Sequence, residues 1–291
     1  MSISVSREQL GNIRRWFNDY TKGFQHDDAE IRQNIELKKT HTERVCREIL
    51  DIAEALGLNA DEQRLAEMIA LLHDAGRFPQ YVHYGTFRDS VAGNHALLGL
   101  DVIHEYRLLD PLDKTVREIV LRAVRYHNLI ALPEGEEEPF VFYEKLIRDA
   151  DKLDVWKVVL DYYCREDRTR NNAIELDLPD TPGYSNSVAE DLRKKKIVDL
   201  KHVKNMNDFK LLQMGWIFDM NFLPHWCALR NGAIFSVSAP YFRPRMHSMI
   251  FWTLCCNSCR IPNKDPRGPG ISQRIIHFPF FSLNRRIAAV R

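Results

Sequence analysis

Leu71-Leu72-His73-Asp74-Ala75-Gly76-Arg77-Phe78 closes an apolar helical run with an imidazole and a carboxylate side by side. Ahead of it, Leu65, Met68, Ile69 and Leu72 recur at helical spacing, and Asn59 with Glu62 marks the start of that helix as a capping box. The period puts His73 and Asp74 at the buried C-terminus, with Gly76 ending the helix. Adjacent metal-ligating groups in such a place are costly to desolvate unless something binds them. Partners are therefore expected elsewhere in the chain.

Working outward, a helix capped by Asp27 or Asp28 carries Ile31, Ile35, His41, Val45, Ile49, Ile52 and Leu56 on one face, and Gly57 stops it. Asn94 is an N-cap that puts His95 in the first turn of a helix through Leu98, Val102 and Ile103. After Pro111, Asp113 opens a helix that turns Val116, Ile119, Val120, Ala123, Val124 and His127 inward. Phe140 to Cys164 reads as one long helix whose stripe of Ile147, Val155, Val158 and Tyr162 is interrupted by Asp151. The gaps from His41 to His73, Asp74 to His95, His95 to His127 and His127 to Asp151 are 32, 21, 32 and 24 residues, each one helix plus its connection. This sets the candidate ligands on five successive helices, as in sites built in bundle cores.

Before these helices, Ser6 and Gln9 form a capping box for a helix with Leu10, Ile13, Trp16 and Phe17 on one face. After them, Ser187 with Glu190 opens another helix, and Asp208 to Phe222 is the last. No strand alternation or internal repeat precedes residue 224, so the expected fold is all-α. Residues 77 to 93 read as a long irregular loop beside the site, 132 to 139 as a solvated loop, and 165 to 186 as a linker or lid.

A lone histidine on an apolar helix face is more often a hydrogen-bonded core residue than a ligand. Six such residues including an adjacent His-Asp pair point the other way, to metal held by His41, His73, Asp74, His95, His127 and Asp151. Imidazole with carboxylate suits Fe, Mn, Co, Ni or Zn, and the absence of thiolates disfavours a structural zinc. His26, His83, His104 and His202 have no matching context, although His83 is placed to touch the site through the irregular loop. Asp149 and Asp154 flank Asp151 but are read as pointing to other faces, as supporting or surface groups.

The ordered set His41, His73-Asp74 and Asp151 resembles the HD-domain metal-dependent phosphohydrolase superfamily. His73-Asp74-Ala75-Gly76-Arg77 is similar to its His-Asp-x-Gly-(Lys/Arg) core, and Ala150-Asp151-Lys152-Leu153 to its Ala-Asp-(Lys/Arg)-Leu element. His95 and His127 match the binuclear branch, and the resemblance covers residues 36 to 160. It implies an HD-domain helical bundle with two divalent metal ions in its core, about 3.5 to 4 Å apart. Asp74 would bridge them, with His41, His73 and Asp151 completing one site and His95 with His127 the other. A metal-bridging hydroxide would attack the phosphorus of a small phosphorylated substrate, a phosphate ester or anhydride such as a nucleotide. Arg77 stands where the family often has a phosphate-contacting lysine, and Lys152 and Arg44 are weaker substrate-binding candidates. Without Gly-Tyr-Pro after the second histidine region, and with Asn128 rather than histidine after His127, cyclic-di-GMP hydrolysis is not expected. The same set also resembles the HD-type diiron oxygenases of diols and hydroxyphosphonates, and an idle ligand-binding HD domain is a third reading.

Charge divides the chain. Residues 1 to 224 carry 31 Lys plus Arg against 39 Asp plus Glu, whereas 225 to 291 carry 10 against 1. The second segment also holds four of the six cysteines, six prolines and no sustained helical period. The expected division is an HD domain over 1 to 224 and an atypical basic tail over 225 to 291. The tail reads as the product of a reading-frame shift, with a basic nucleic-acid tail or a small metal site at Cys255, Cys256 and Cys259 as competitors. No run of about 18 apolar residues exists, and charges at Arg7, Glu8, Arg14, Arg15 and Asp19 rule out the apolar centre of a signal peptide. A cytoplasmic location is expected, with neither membrane nor nucleic acid as a partner of the acidic part.

Overall fold

Helices begin where a side-chain oxygen is placed to accept from the free N–H groups of a first turn. Ser6 and Asn59 do this in reciprocal capping boxes for α1 (Arg7–Lys22) and α3 (Ala60–Leu72), and Asp28 and Asn94 do it for α2 (Ala29–Ala55) and α6 (His95–Glu105). The computed structural model describes residues 3–163 and 170–222. The remaining helices are α4 (Arg77–Tyr84), α5 (Asp89–Ala92), α7 (Lys114–Tyr126), α8 (Phe140–Tyr163), α9 (Asn172–Glu175), α10 (Asn186–Arg193) and α11 (Met206–Gly215). Short 3-10 turns occupy Leu200–His202 and Trp216–Asp219. Among the described residues there is no strand, so the fold is the expected all-α bundle. The tail from residue 225, its cysteines, and Cys164 with the start of the 165 to 186 segment lie outside the described residues.

Helix α2 is the central post, packed on α3 and α8, while α3 also meets α1 and α7. Ile49 and Ile52 of α2, Leu65, Met68, Ile69 and Leu72 of α3, Ile119 of α7 and Leu146 of α8 are fully buried at the seams. Burying each such side chain stabilises the fold by roughly 1.5–3 kcal/mol before entropy is charged against it. A smaller cluster joins the end of α8 to the last helices through Val159, Tyr162, Val188, Val198, Phe209 and Leu212.

Four expectations need correction. Residues 77 to 93 are not an irregular loop, because α4 and α5 occupy most of them. Pro79 sits in the first turn of α4, where its missing N–H has no partner to lose, and Phe78 and Tyr81 supply the buried face. The ligand-bearing helices are therefore not consecutive. Ser187 does not open α10: Ser185 occupies the N-cap position, and its hydroxyl donates to Asp208 Oδ2 at 2.6 Å instead of capping. The last helix ends at Gly215, and the chain tightens into the 3-10 turn at Trp216–Asp219.

Gly76 acts through contact rather than as a left-handed stop. Its φ of −70° is helical, but a Cβ built there would lie 2.2 Å from the His95 carbonyl oxygen and 2.4 Å from the Gly99 amide nitrogen. Only a residue without a side chain lets the start of α6 cross the α3–α4 corner this closely. That crossing carries His95 to the His73-Asp74 pair. From the other side Tyr20 donates its hydroxyl to Ala75 O at 3.1 Å, and the rings of Phe17, Tyr20 and Phe24 surround Phe78. Among the described residues no helix is long and apolar enough to cross a membrane.

Candidate metal centre

The bundle brings all six sequence-picked residues together. His41 projects from the middle of α2, His73 and Asp74 from the end of α3, His95 from the first turn of α6, His127 from the end of α7 and Asp151 from the middle of α8. His41, His73 and Asp151 form one group of donor atoms lying within 4.8 Å of one another, and Asp74, His95 and His127 form a second. Asp74 stands between the groups. Its Oδ2 is 3.6 Å from His41 Nε2 and 3.7 Å from His73 Nε2, while Oδ1 is 3.4 Å from His95 Nε2 and 3.7 Å from His127 Nε2. These separations are too long for hydrogen bonds. They are close to the roughly 3.0–3.4 Å expected between two ligands each about 2.1 Å from one ion.

The hydrogen bonds behind the rings settle what the inner nitrogens are. Nδ1 of His73 meets Ala70 O at 2.7 Å, and Nδ1 of His127 meets Val124 O at 2.7 Å. Carbonyl oxygens only accept, so both Nδ1 atoms carry the proton. Nδ1 of His41 meets the Asp154 carboxylate at 2.7 Å, and Nδ1 of His95 meets that of Asp89 at 2.7 Å. In all four rings the proton is on the outside, and in the neutral ring Nε2 offers a lone pair inward. Burial pushes His73 down to about 4 and His95 down to about 3, which keeps both neutral. Nε2 of His73 is buried without a hydrogen-bond partner among the described residues, Nε2 of His41 lies 3.2 Å from Asp151 Oδ1, and Nε2 of His95 and His127 face each other at 2.9 Å. Inward lone pairs this close repel unless a cation lies between them, so the donor set fits divalent metal.

Charge agrees with this. Burial would raise Asp74, but Lys38, His73, His127 and Arg77 outweigh it and hold the carboxyl well below its ordinary range. Burial likewise opposes ionisation of Asp151, and His41 and His73 overcome it. For His41, burial and Lys38 press the pKa down while Asp151 and Asp154 hold it above its ordinary value.

Lys38 and Asp89 are not legible as site residues in the sequence, and Asp154 is legible only as a supporting or surface group. Lys38 Nζ donates to Asp74 Oδ2 at 2.8 Å. Its signal was its place three residues before His41, on the same helical face. Asp154 lies one turn beyond Asp151 and is fully buried, so it does not point away to the surface: it accepts from His41 and from Arg44 Nε and Nη2 at 2.5 and 2.9 Å. Asp89 accepts from His95, Gln80, Asn128 and Arg77. Nothing local announces it, because the sequence around α5 carries no helical period.

The basic candidates are placed differently from one another. Arg77 lines the cavity beside the donors, but its Nη1 is held by Gln80 Oε1, Phe87 O and Asp89 Oδ1, and its Nε is 3.5 Å from Asp74 Oδ1. Lys152 is buried in the same wall and shares Asp219 with Arg148. Arg44 is not part of the wall, and its guanidinium braces Asp154. Asp149 is buried and accepts from Asn221 and Phe222, a structural role. His26, His83 and His104 are exposed, and His202 is tied to Asp191.

The family model of the HD domain matches residues 39–156. Residues 39–156 are an HD domain. The match begins two residues before His41 and ends five beyond Asp151, so it contains all six donors, with α1 and α9 to α11 outside it. HD domains hold divalent metals, and the superfamily is typically one of metal-dependent hydrolases, with some non-hydrolytic members. No curated protein and no solved structure matches the chain.

Proposed function

We propose that the chain is a phosphohydrolase that uses two divalent transition-metal ions to cleave a small phosphate ester or anhydride. The observation that supports this reading is the position of Asp74, with one carboxylate oxygen toward each of two buried histidine groups. His41, His73 and Asp151 would hold one ion, His95 and His127 the other, and Asp74 both. When bound, such ions polarise a phosphate oxygen and make a coordinated water acidic enough to serve as nucleophile near neutral pH.

The chain's own residues supply the rest. Asp154 and Asp89 fix the tautomer and angle of His41 and His95, so the donors are organised before the ions arrive. Lys38 lines the cavity beside Asp74 and is placed to offset negative charge that grows on the phosphoryl oxygens. In the reaction a water oxygen bonds to phosphorus as the bond to the leaving oxygen breaks, and that oxygen departs with a proton. Arg77 supports this step by holding Asp89, and through it His95.

The test is metal analysis and phosphate release by the full chain after reconstitution with Mn, Fe, Co or Ni. Wild type should hold two ions and release phosphate from a phosphoester panel, while His73→Ala and Asp74→Ala should lose more than about 100-fold in metal affinity and turnover. Unchanged metal content in Asp74→Ala would remove the centre of the reading. Substrate-dependent oxygen uptake with a diiron absorption band would replace hydrolysis with oxygenation.

A further inference from the structure

The cavity that reaches the metal donors extends well beyond them. Its volume is about 690 Å³, within the roughly 300–1,000 Å³ usual for small-molecule sites. One end is the donor cluster with Lys38, Arg148 and Lys152. The other runs along α8 toward α9 and α11 and is walled by Val155, Val158, Ile174, Leu178, Val203 and Trp216. All six are half-buried, so the faces they leave uncovered line the chamber. An apolar concavity of this size beside convergent polar groups is suited to a small-molecule ligand.

Polar groups in the chamber end are few and mostly engaged. Lys201 is tied to Asp199 at 2.6 Å. Gln213 is 2 % exposed, and its Nε2 has no acceptor among the described residues. It is a donor suited to a single ester or ether oxygen. A nucleobase with its sugar would bring several donors and acceptors against valine, isoleucine and leucine side chains and leave them unpaired. A hydrocarbon would match the wall throughout.

We propose that the substrate is an amphiphilic phosphomonoester, with its phosphoryl group at the donor cluster and a hydrocarbon body in the apolar chamber. This rests on the reading of the cluster as a phosphohydrolase metal centre. The binding part of it can be tested separately.

Isothermal titration of the full chain with butyl, hexyl, octyl and decyl phosphate, below their micelle concentrations, gives the dependence on chain length. AMP serves as the polar control, and phosphate release and metal content are measured on the same samples. Affinity should tighten about four-fold per added methylene until the chamber is full, and AMP should bind more weakly than octyl phosphate. Val158→Asn and Ile174→Asn, on different helices, should each flatten the series while metal content stays at the wild-type level. If one of them fails to fold by circular dichroism, the other carries the test. A flat series in wild type, or AMP binding as tightly as decyl phosphate, would overturn the proposal. A steep series without metal uptake or phosphate release would support the chamber and remove the hydrolase reading.

Discussion

At the scale of single residues, the carboxylates behind the histidines decide how well the site is made. Asp154 holds His41, and Asp89 holds His95, each at 2.7 Å. Asp89→Asn and Asp154→Asn should weaken metal binding by about 10–100-fold, read by competition with a chromophoric chelator. Unchanged affinity in both would mean that the rings are fixed by packing alone. Glu144 of α8 makes a separate prediction. Its side chain is buried with neither oxygen hydrogen-bonded among the described residues, and burial, with Glu136 adding, pushes its pKa from 4.5 up to about 7. Because the folded-state pKa lies above the unfolded one, its contribution to stability is intact below about pH 4.5 and is lost as pH rises through 7. Wild type should therefore lose more stability between pH 5 and pH 8 than Glu144→Gln, by on the order of 1–3 kcal/mol. Parallel Tm curves for the two proteins would show that Glu144 is solvated at no cost.

At the scale of elements, the contact between the α3–α4 corner and α6 is the tightest constraint on the site. In Gly76→Ala the new methyl would meet backbone atoms of His95 and Gly99, which cannot swing aside as a flexible side chain would. A loss of about 3 kcal/mol is expected, seen as a lower urea midpoint. Metal affinity should fall with it, because the shift separates His95 from Asp74. Gly57→Ala is a useful comparison: its φ of +71° costs strain but nothing lies within 4 Å of the added carbon, so stability should fall by about 1 kcal/mol with metal binding intact.

At the scale of the molecule, the donors come from five helices that meet only in the folded bundle. Metal bound to the native state alone should stabilise the whole chain by about 2.7 kcal/mol at a hundred times its Kd. Manganese titration followed by differential scanning fluorimetry should raise Tm by several degrees, EDTA should reverse it, and Asp74→Ala should abolish the response. A Tm indifferent to every transition metal would disconnect the cluster from metal.

Most helix starts, the all-α class and the six residues that cluster in the core are legible because each rests on local chemistry: a capping oxygen, a 3.6-residue period, or a polar group interrupting an apolar stripe. His41 and Asp151 stood out for that last reason. The tertiary structure alone decided the rest. Asp89 became the support for His95, Asp154 passed from a supporting or surface group to the support for a histidine 113 residues away, Lys38 became the cation beside Asp74, and Arg77 was turned toward Asp89. None of these pairings has a period or a motif, since each depends on how helices cross. Gly76 shows this most directly: in sequence it is a helix stop, and in the fold it is the space through which α6 approaches the His73-Asp74 pair.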